Sequence, residues 1–354
     1  MKNKTLVAIA GAVVGITALV LVKFGNPANM GLCIACFLRD TAGGLKLHGA
    51  APVQYIRPEI IGLVLGSFFV ALSGREFIPK AGSSPATRFV LGFIVMIGAL
   101  MFLGCPLRMM LRIAGGDMNA IVGLVGFVAG ILVGIFFLNH GFTLGRAYRV
   151  NKGEGYVFPI IQVVMLILLV GLPGLLLFSE TGPGSMHAPI ALALVAGLVV
   201  GGIAQKSRFC TAGGIRDAFL LKDFTLFVGF IVVLLVVAIG NLALGSFNFG
   251  FEGQPVAHTD GLWNFLGMAL VGIASIFLGG CPLRQLILSG EGNIDSVITV
   301  LGMICGAAFA HNFAMASSPE GPTVNGQIAV VIGFIVVVAI GFLNIQRSAG
   351  KGDA

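Results

Sequence analysis

The stretch Gly279-Gly280-Cys281-Pro282-Leu283-Arg284 has an earlier near-copy, Leu103-Gly104-Cys105-Pro106-Leu107-Arg108. Each follows directly on an apolar run that carries glycine. Proline suits the first position of a helix, where its missing N–H costs nothing. The pattern therefore predicts two short helices with Cys105 and Cys281 at their N-caps and Arg108 and Arg284 three residues inside. The first is expected to run from Pro106 to about Ala114 and to stop at Gly115-Gly116. A helix N-terminus offers unpaired N–H groups and a positive dipole end, which suits an anion. An arginine in the first turn opposes that dipole, and it makes sense beside an anion. The plainer alternative is a helix break at a membrane interface, with arginine reaching for headgroups. Two copies at matched positions favour the functional reading.

The 354 residues are 57% hydrophobic and only 10% charged, with a mean hydropathy of +1.03. Soluble domains carry about 25% charged residues, so this chain cannot build a water-facing surface. The class it implies is an all-α polytopic membrane protein. The 53 glycines fit helices that approach one another closely in lipid. The net charge of +7 is read as basic cytoplasmic loops rather than a nucleic-acid surface.

Apolar runs long enough to span lipid, about 17–25 residues, lie near 5–22, 57–74, 88–104, 119–138, 156–178, 189–205, 224–246, 262–280, 296–314 and 325–345. The first follows Lys2 and Lys4 as a signal peptide would. Its length, the poor cleavage site at Asn26-Pro27-Ala28-Asn29 and a counterpart at 189–205 make it a retained span.

A repeat organises these spans. Cys33 precedes Arg39-Asp40 by the same distance as Cys210 precedes Arg216-Asp217. The cysteines at 33 and 210 are 177 apart, and those at 105 and 281 are 176 apart. Two motifs with one offset point to duplication, with a first repeat over 1–178 and a second over 179–354. Five spans per repeat is an odd number, so the second repeat should be inverted. Charge agrees if the N-terminus is cytoplasmic. Of the 21 lysines and arginines, only Lys23, Arg39, Lys46, Arg57, Arg108 and Arg112 fall outside. Those six all lie in the two connections that carry Cys33 and Cys105, which suggests they are held there for a site. The rest, among them Lys2, Arg347 and Lys351, are inside, as the orientation rule requires. Inverted repeats with interrupted helices describe many transporters. Cys33 and Cys105 would then enter from outside and Cys210 and Cys281 from the cytoplasm, on re-entrant segments.

The Arg39–Asp40 and Arg216–Asp217 pairs suit loop positioning better than substrate contact. A protonated thiol is a weak, polarizable donor, fit for holding a sulfur- or selenium-rich anion loosely; a thiolate would suit persulfide or disulfide exchange. Burial as small hydrophobes is the alternative for the same cysteines. Cys33 and Cys36 form a C-x-x-C, a redox pair in some contexts, but Gly213 stands where Cys36 would repeat. Cys305 lies within an apolar span and is read as packing. His140 and His311 end corresponding spans and are read as interface caps, and His48 has no evident partner.

The duplicated Gly-Cys-Pro-Leu-Arg, Asn29-Met30-Gly31-Leu32-Cys33 and Arg208-Phe209-Cys210 resemble the YeeE/YedE family of membrane transporters. The stretch from Asn26 to Gly44, with Gln54-Tyr55-Ile56-Arg57-Pro58-Glu59, looks most like the YedE branch associated with selenium metabolism. The resemblance implies an hourglass-shaped helical protein with cysteines at an inner constriction: Cys33, Cys105 and Cys281, with Cys210 added by the repeat. It also implies uptake of thiosulfate or a related sulfur or selenium species, sometimes with a small cytoplasmic sulfur-carrier protein (TusA-like) as partner.

The expectation is therefore a multi-pass permease of a prokaryotic cytoplasmic (inner) membrane, with both termini inside and no enzyme activity. It would import a small inorganic anion along Cys33, Cys36, Cys105, Cys210 and Cys281, with Arg39, Arg108, Arg216 and Arg284 nearby. No cofactor, metal or nucleic acid is expected, and no P-loop is present. Two alternatives stand: a membrane thiol–disulfide oxidoreductase using Cys33 and Cys36, and a small-solute channel.

Overall fold

The computed structural model describes residues 3–346; Lys2, Arg347 and Lys351 lie outside the described residues. Fourteen helices follow in the order α1 (Lys4–Lys23), α2 (Ile34–Gly44), α3 (Pro58–Ser73), α4 (Pro85–Phe102), α5 (Pro106–Ala114), α6 (Met118–Asn139), α7 (Lys152–Gly171), α8 (Ile190–Ser207), α9 (Thr211–Leu220), α10 (Thr225–Ala243), α11 (Gly261–Leu278), α12 (Pro282–Gly290), α13 (Ile294–Asn312) and α14 (Val324–Leu343). Among the described residues, ten spans are long and apolar enough to cross a membrane. The four short helices are α2, α5, α9 and α12. The long and short helices follow one another in the same order in α1–α7 and in α8–α14.

Packing follows the same correspondence. Helix α4 packs on α13 as α11 packs on α6, and α3 packs on α8 as α10 packs on α1. Helices α4 and α11 also meet each other. Close approach is built in by glycine: a Cβ on Gly130 of α6 would collide with the Ala269 carbonyl of α11. The final helices depart from this pattern, because α7 leans on α3 while α14 lies against α4 and α11. The fifth span is also shorter than the apolar run 156–178. Pro173 and the flanking glycines cannot continue a helix, so α7 ends at Gly171 and a short 3-10 turn follows.

The connections sort onto two faces. On one, strand β1 (Lys80–Ala81) pairs with β2 (Tyr148–Arg149); Lys80 also bridges to Asn293, and Phe142 to Ile345 near the C-terminus. We call this the terminal face. On the opposite face Asp117 bridges to Gly250, and Ala188 donates its N–H to Asn26 at 2.8 Å. Alternation between faces thus places α2 and α5 toward the opposite face, and α9 and α12 toward the terminal face.

Burial explains four of the six basic residues that break the charge rule. Arg57, Arg108 and Arg112 are fully buried, and Arg39 nearly so; Lys23 and Lys46 are exposed. Arg57 donates to Asp40 Oδ2 at 2.8 Å and to the carbonyls of Pro183 (2.8 Å) and Met186 (3.1 Å). Arg39 donates to the other oxygen of Asp40 through Nε (2.9 Å) and Nη2 (2.7 Å). Arg112 pairs with Asp117 at 2.6 Å and lies 4.2 Å over the Phe102 ring. A buried charge is tolerated only when paired or hydrogen-bonded; Arg39, Arg57 and Arg112 are paired, and Arg108 is held by backbone carbonyls.

Candidate functional site

All four short helices begin at a cysteine N-cap. Cys105 and Cys281 hold the positions expected, and α5 has the bounds that the proline and glycine signals imply. Cys33 and Cys210 cap as well, ahead of the short helices that their Arg-Asp segments suggest, with no proline to mark the start. Their sulfurs accept the N–H of the third helical residue, Cys36 at 3.3 Å and Gly213 at 3.2 Å. Cys36 and Gly213 thus occupy one equivalent position.

The caps meet in pairs. Cys33 touches Cys105, and Cys105 sits beside the backbone N–H groups of Ala35 and Arg108. In the second half the Cys210 and Cys281 sulfurs are 3.7 Å apart, and Cys281 directs its backbone N–H at the Cys210 sulfur, 3.5 Å away. The Cys281 thiol also faces Thr211, a residue that sequence reading passed over. The crossed contacts α2–α12 and α5–α9 tie the two sets together. All five thiols are buried, whereas Cys305 is exposed on α13. It does not pack inside, as was expected of it.

The glycine before each Cys-Pro has a packing reason. A Cβ on Gly280 would stand 2.8 Å from Arg284 Cγ, and one on Gly104 would stand 2.9 Å from Arg108 Cδ. Each arginine stem folds back over its glycine. Arg284 then reaches Glu291 at 3.0 Å, seven residues on and so on the same helix face. That spacing was the available signal for Glu291. Gly280→Ala is expected to push the stem off, break this pair and cost about 1–3 kcal/mol, the usual price of overpacking. A thermal melt of the purified protein checks it.

The arginines are less free than an anion-binding role requires. Arg108 donates to the carbonyls of Leu103, Asn29 (3.2 Å), Pro255 (3.2 Å) and Val256 (3.1 Å), and its Nη1 lies 3.8 Å from the Cys36 sulfur. Arg216 is paired with Asp217 at 2.7 Å. At the capped thiols the nearest polar groups are sulfur and backbone N–H, while the guanidinium groups are held by carbonyls and carboxylates.

A cavity lies on each face. On the opposite face a cavity of about 430 Å³ is lined by Arg39, Leu103, Val256, His311, Ser317 and Glu320 among others. Leu103 connects it to the first set, because the Cys36 thiol points at the Leu103 carbonyl, 4.0 Å away. His311 is no simple interface cap: its ring stacks on His48 at 4.7 Å, and His48 in turn contacts the Arg39 carbonyl at 3.0 Å. His140, by contrast, does sit at a helix end, 2.7 Å from the Phe136 carbonyl. On the terminal face a cavity of about 280 Å³ is lined by Arg75, Glu76, Lys80, Arg208, Glu291 and Asn293. Arg208 bridges Glu76 (2.8 Å) and Glu291 (3.0 Å) two residues before Cys210. The Gln205 amide and the Arg208 guanidinium hold the Glu76 carboxyl below its usual range.

Residues 206–348 match the family model described as sulphur transport. The chain is also similar to the thiosulfate transporter TsuA of Escherichia coli (strain K12), 28% identical over 115 residues. That alignment covers 32% of this chain and 32% of the relative, so it spans about a third of the relative's length. The family segment runs from the end of α8 to the end of α14 and contains Cys210 and Cys281. It agrees with the motif resemblance and with a transporter rather than an enzyme.

Proposed function

We propose that the chain carries a small sulfur-containing anion of the thiosulfate type across the cytoplasmic membrane, a reading supported by the match of residues 206–348 to the sulphur-transport family model. The observation that carries this reading is the pairing of cysteine N-caps between two cavities on opposite faces. An anion stripped of water in lipid faces a cost of tens of kcal/mol if nothing replaces its hydration. Four helix N-termini, two from each thiol set, supply backbone N–H groups and dipole ends. The thiols add weak, polarizable donors that release as readily as they hold. Both sets are closed to solvent, so the anion passes by parting Cys33 from Cys105 and then Cys210 from Cys281.

In this reading the two halves, 1–178 and 179–354, are inverted repeats, the terminal face is cytoplasmic, and the opposite face receives the substrate. Selenium oxyanions share the charge and shape of their sulfur counterparts and are a second substrate class for the same path. The basic terminal face around Arg75, Lys80 and Arg208 leaves room for a small sulfur-carrier protein to collect the product. The redox alternative is weaker, because the Cys36 sulfur faces the Leu103 carbonyl and Arg108.

The test is uptake of radiolabelled thiosulfate by proteoliposomes containing the full chain, with sulfate and selenite as competitors. Saturable thiosulfate uptake above protein-free vesicles, unaffected by equimolar sulfate, is expected. Uptake equal to that of empty vesicles for every sulfur and selenium anion would overturn the assignment. Cys36→Ser abolishing activity as fully as Cys33→Ser, with a trappable mixed disulfide, would favour the oxidoreductase instead.

A further inference from the structure

We propose that Cys210 and Cys281 are a reversible disulfide site, and that their oxidation closes the terminal-face half of the path. This rests on the transport reading for its consequence but not for its chemistry. The two sulfurs are already in contact at 3.7 Å, and bond formation at about 2.05 Å requires a closure of about 1.7 Å. Rotation of two cysteine side chains at helix caps supplies that movement. Both sulfurs sit at helix N-termini, and the N–H groups of Gly213 and Cys281 point at the Cys210 sulfur. These are surroundings in which negative charge on sulfur is tolerated during attack.

The two thiol sets differ in a way that singles out this pair. In the first, Cys33 is in contact with both Cys36 and Cys105, so oxidation has competing outcomes, and Arg108 stands against the Cys36 sulfur. In the second, Gly213 replaces the third thiol and each sulfur has one sulfur neighbour among the described residues. Along the chain the pair lies near the terminal-face cavity, whose wall includes Arg208, two residues from Cys210.

The chemistry balances with peroxide as the two-electron oxidant. One thiolate attacks a peroxide oxygen, the O–O bond breaks, and a sulfenic acid forms as one water leaves. The neighbouring thiol then attacks that sulfur, the S–O bond breaks, and a second water leaves with the remaining proton. The product is one S–S bond between the caps of α9 and α12, with two waters released. A dithiol reductant reverses it by exchange.

The experiment treats the full-length protein in proteoliposomes with hydrogen peroxide and reads both peptide mass and thiosulfate uptake. The expected results are a Cys210–Cys281 cross-linked peptide, an intact-mass loss of two hydrogens, uptake falling to background, and recovery of both readouts with dithiothreitol. Cys281→Ala should yield no cross-linked peptide at Cys210. Cross-links of Cys210 or Cys281 to any other cysteine, or both thiols remaining free, overturn the proposal, as does a complete cross-link with unchanged uptake. If untreated protein shows no uptake at all, the transport reading fails while the peptide map still decides the disulfide.

Discussion

If the proposed path is right, Cys281→Ala is expected to reduce thiosulfate uptake roughly 10- to 100-fold while the protein still assembles in the membrane, and Cys105→Ala to do the same from the other side. The size follows from the role proposed for the thiol. It is one of few donors available to a desolvated anion, and removing a buried donor costs about 1–3 kcal/mol. At about 1.4 kcal/mol per factor of ten, the rate falls by one to two orders of magnitude. Stability changes little, because alanine removes a single sulfur and neither Cys105 nor Cys281 caps its helix through the side chain. Cys281→Ser should fall between, since the hydroxyl keeps a donor but is shorter and holds its proton in a different place. Uptake in proteoliposomes, set against the melting temperature of each variant, separates these cases. Equal uptake by wild type and both alanine variants would sink the thiol path.

Much of this arrangement was legible in the sequence because it depends on local chemistry. Ten apolar runs gave ten spans, proline after cysteine fixed the start of α5 and α12, and paired glycines fixed the end of α5. What stayed hidden was set by distant contacts. Arg108 was visible as a cation near a thiol, but the carbonyls that absorb it come from Asn29, Pro255 and Val256, remote in the chain. Nothing in local spacing announces a carbonyl as a partner. His48 had no evident neighbour because its stacking partner, His311, lies in the other half. The cysteine caps of α2 and α9 lacked the proline that marked their counterparts. The charge count did single out four residues that the fold buries: of the six that break the orientation rule, Lys23 and Lys46 are exposed, while Arg39, Arg57, Arg108 and Arg112 are buried. Their partners, however, are largely the protein's own carboxylates and carbonyls.

Asp40→Asn is expected to be the most destabilising single change near the path. Asp40 is fully buried and serves two cations at once, Arg39 at 2.7 Å and Arg57 at 2.7 Å. Asparagine keeps the shape and one acceptor but removes the charge, leaving two buried guanidinium groups with no counter-ion between them. Breaking a single buried pair by removing one partner costs about 3–5 kcal/mol, and here one residue breaks two. The loss is not confined to stability. Asp40 lies in α2, whose cap is Cys33, and Arg57 also anchors Pro183 and Met186 of the α7–α8 connection. Loosening it frees the roof of the opposite-face cavity from the helix that presents the first thiol. The variant should therefore melt several degrees lower, and its uptake should fall even at temperatures where it remains folded. Adding Arg39→Gln removes one of the two stranded charges and should recover part of the melting temperature. If Asp40→Asn melts within a degree of wild type, the two arginines find their compensation elsewhere, and the buried network is not what holds α2 in place.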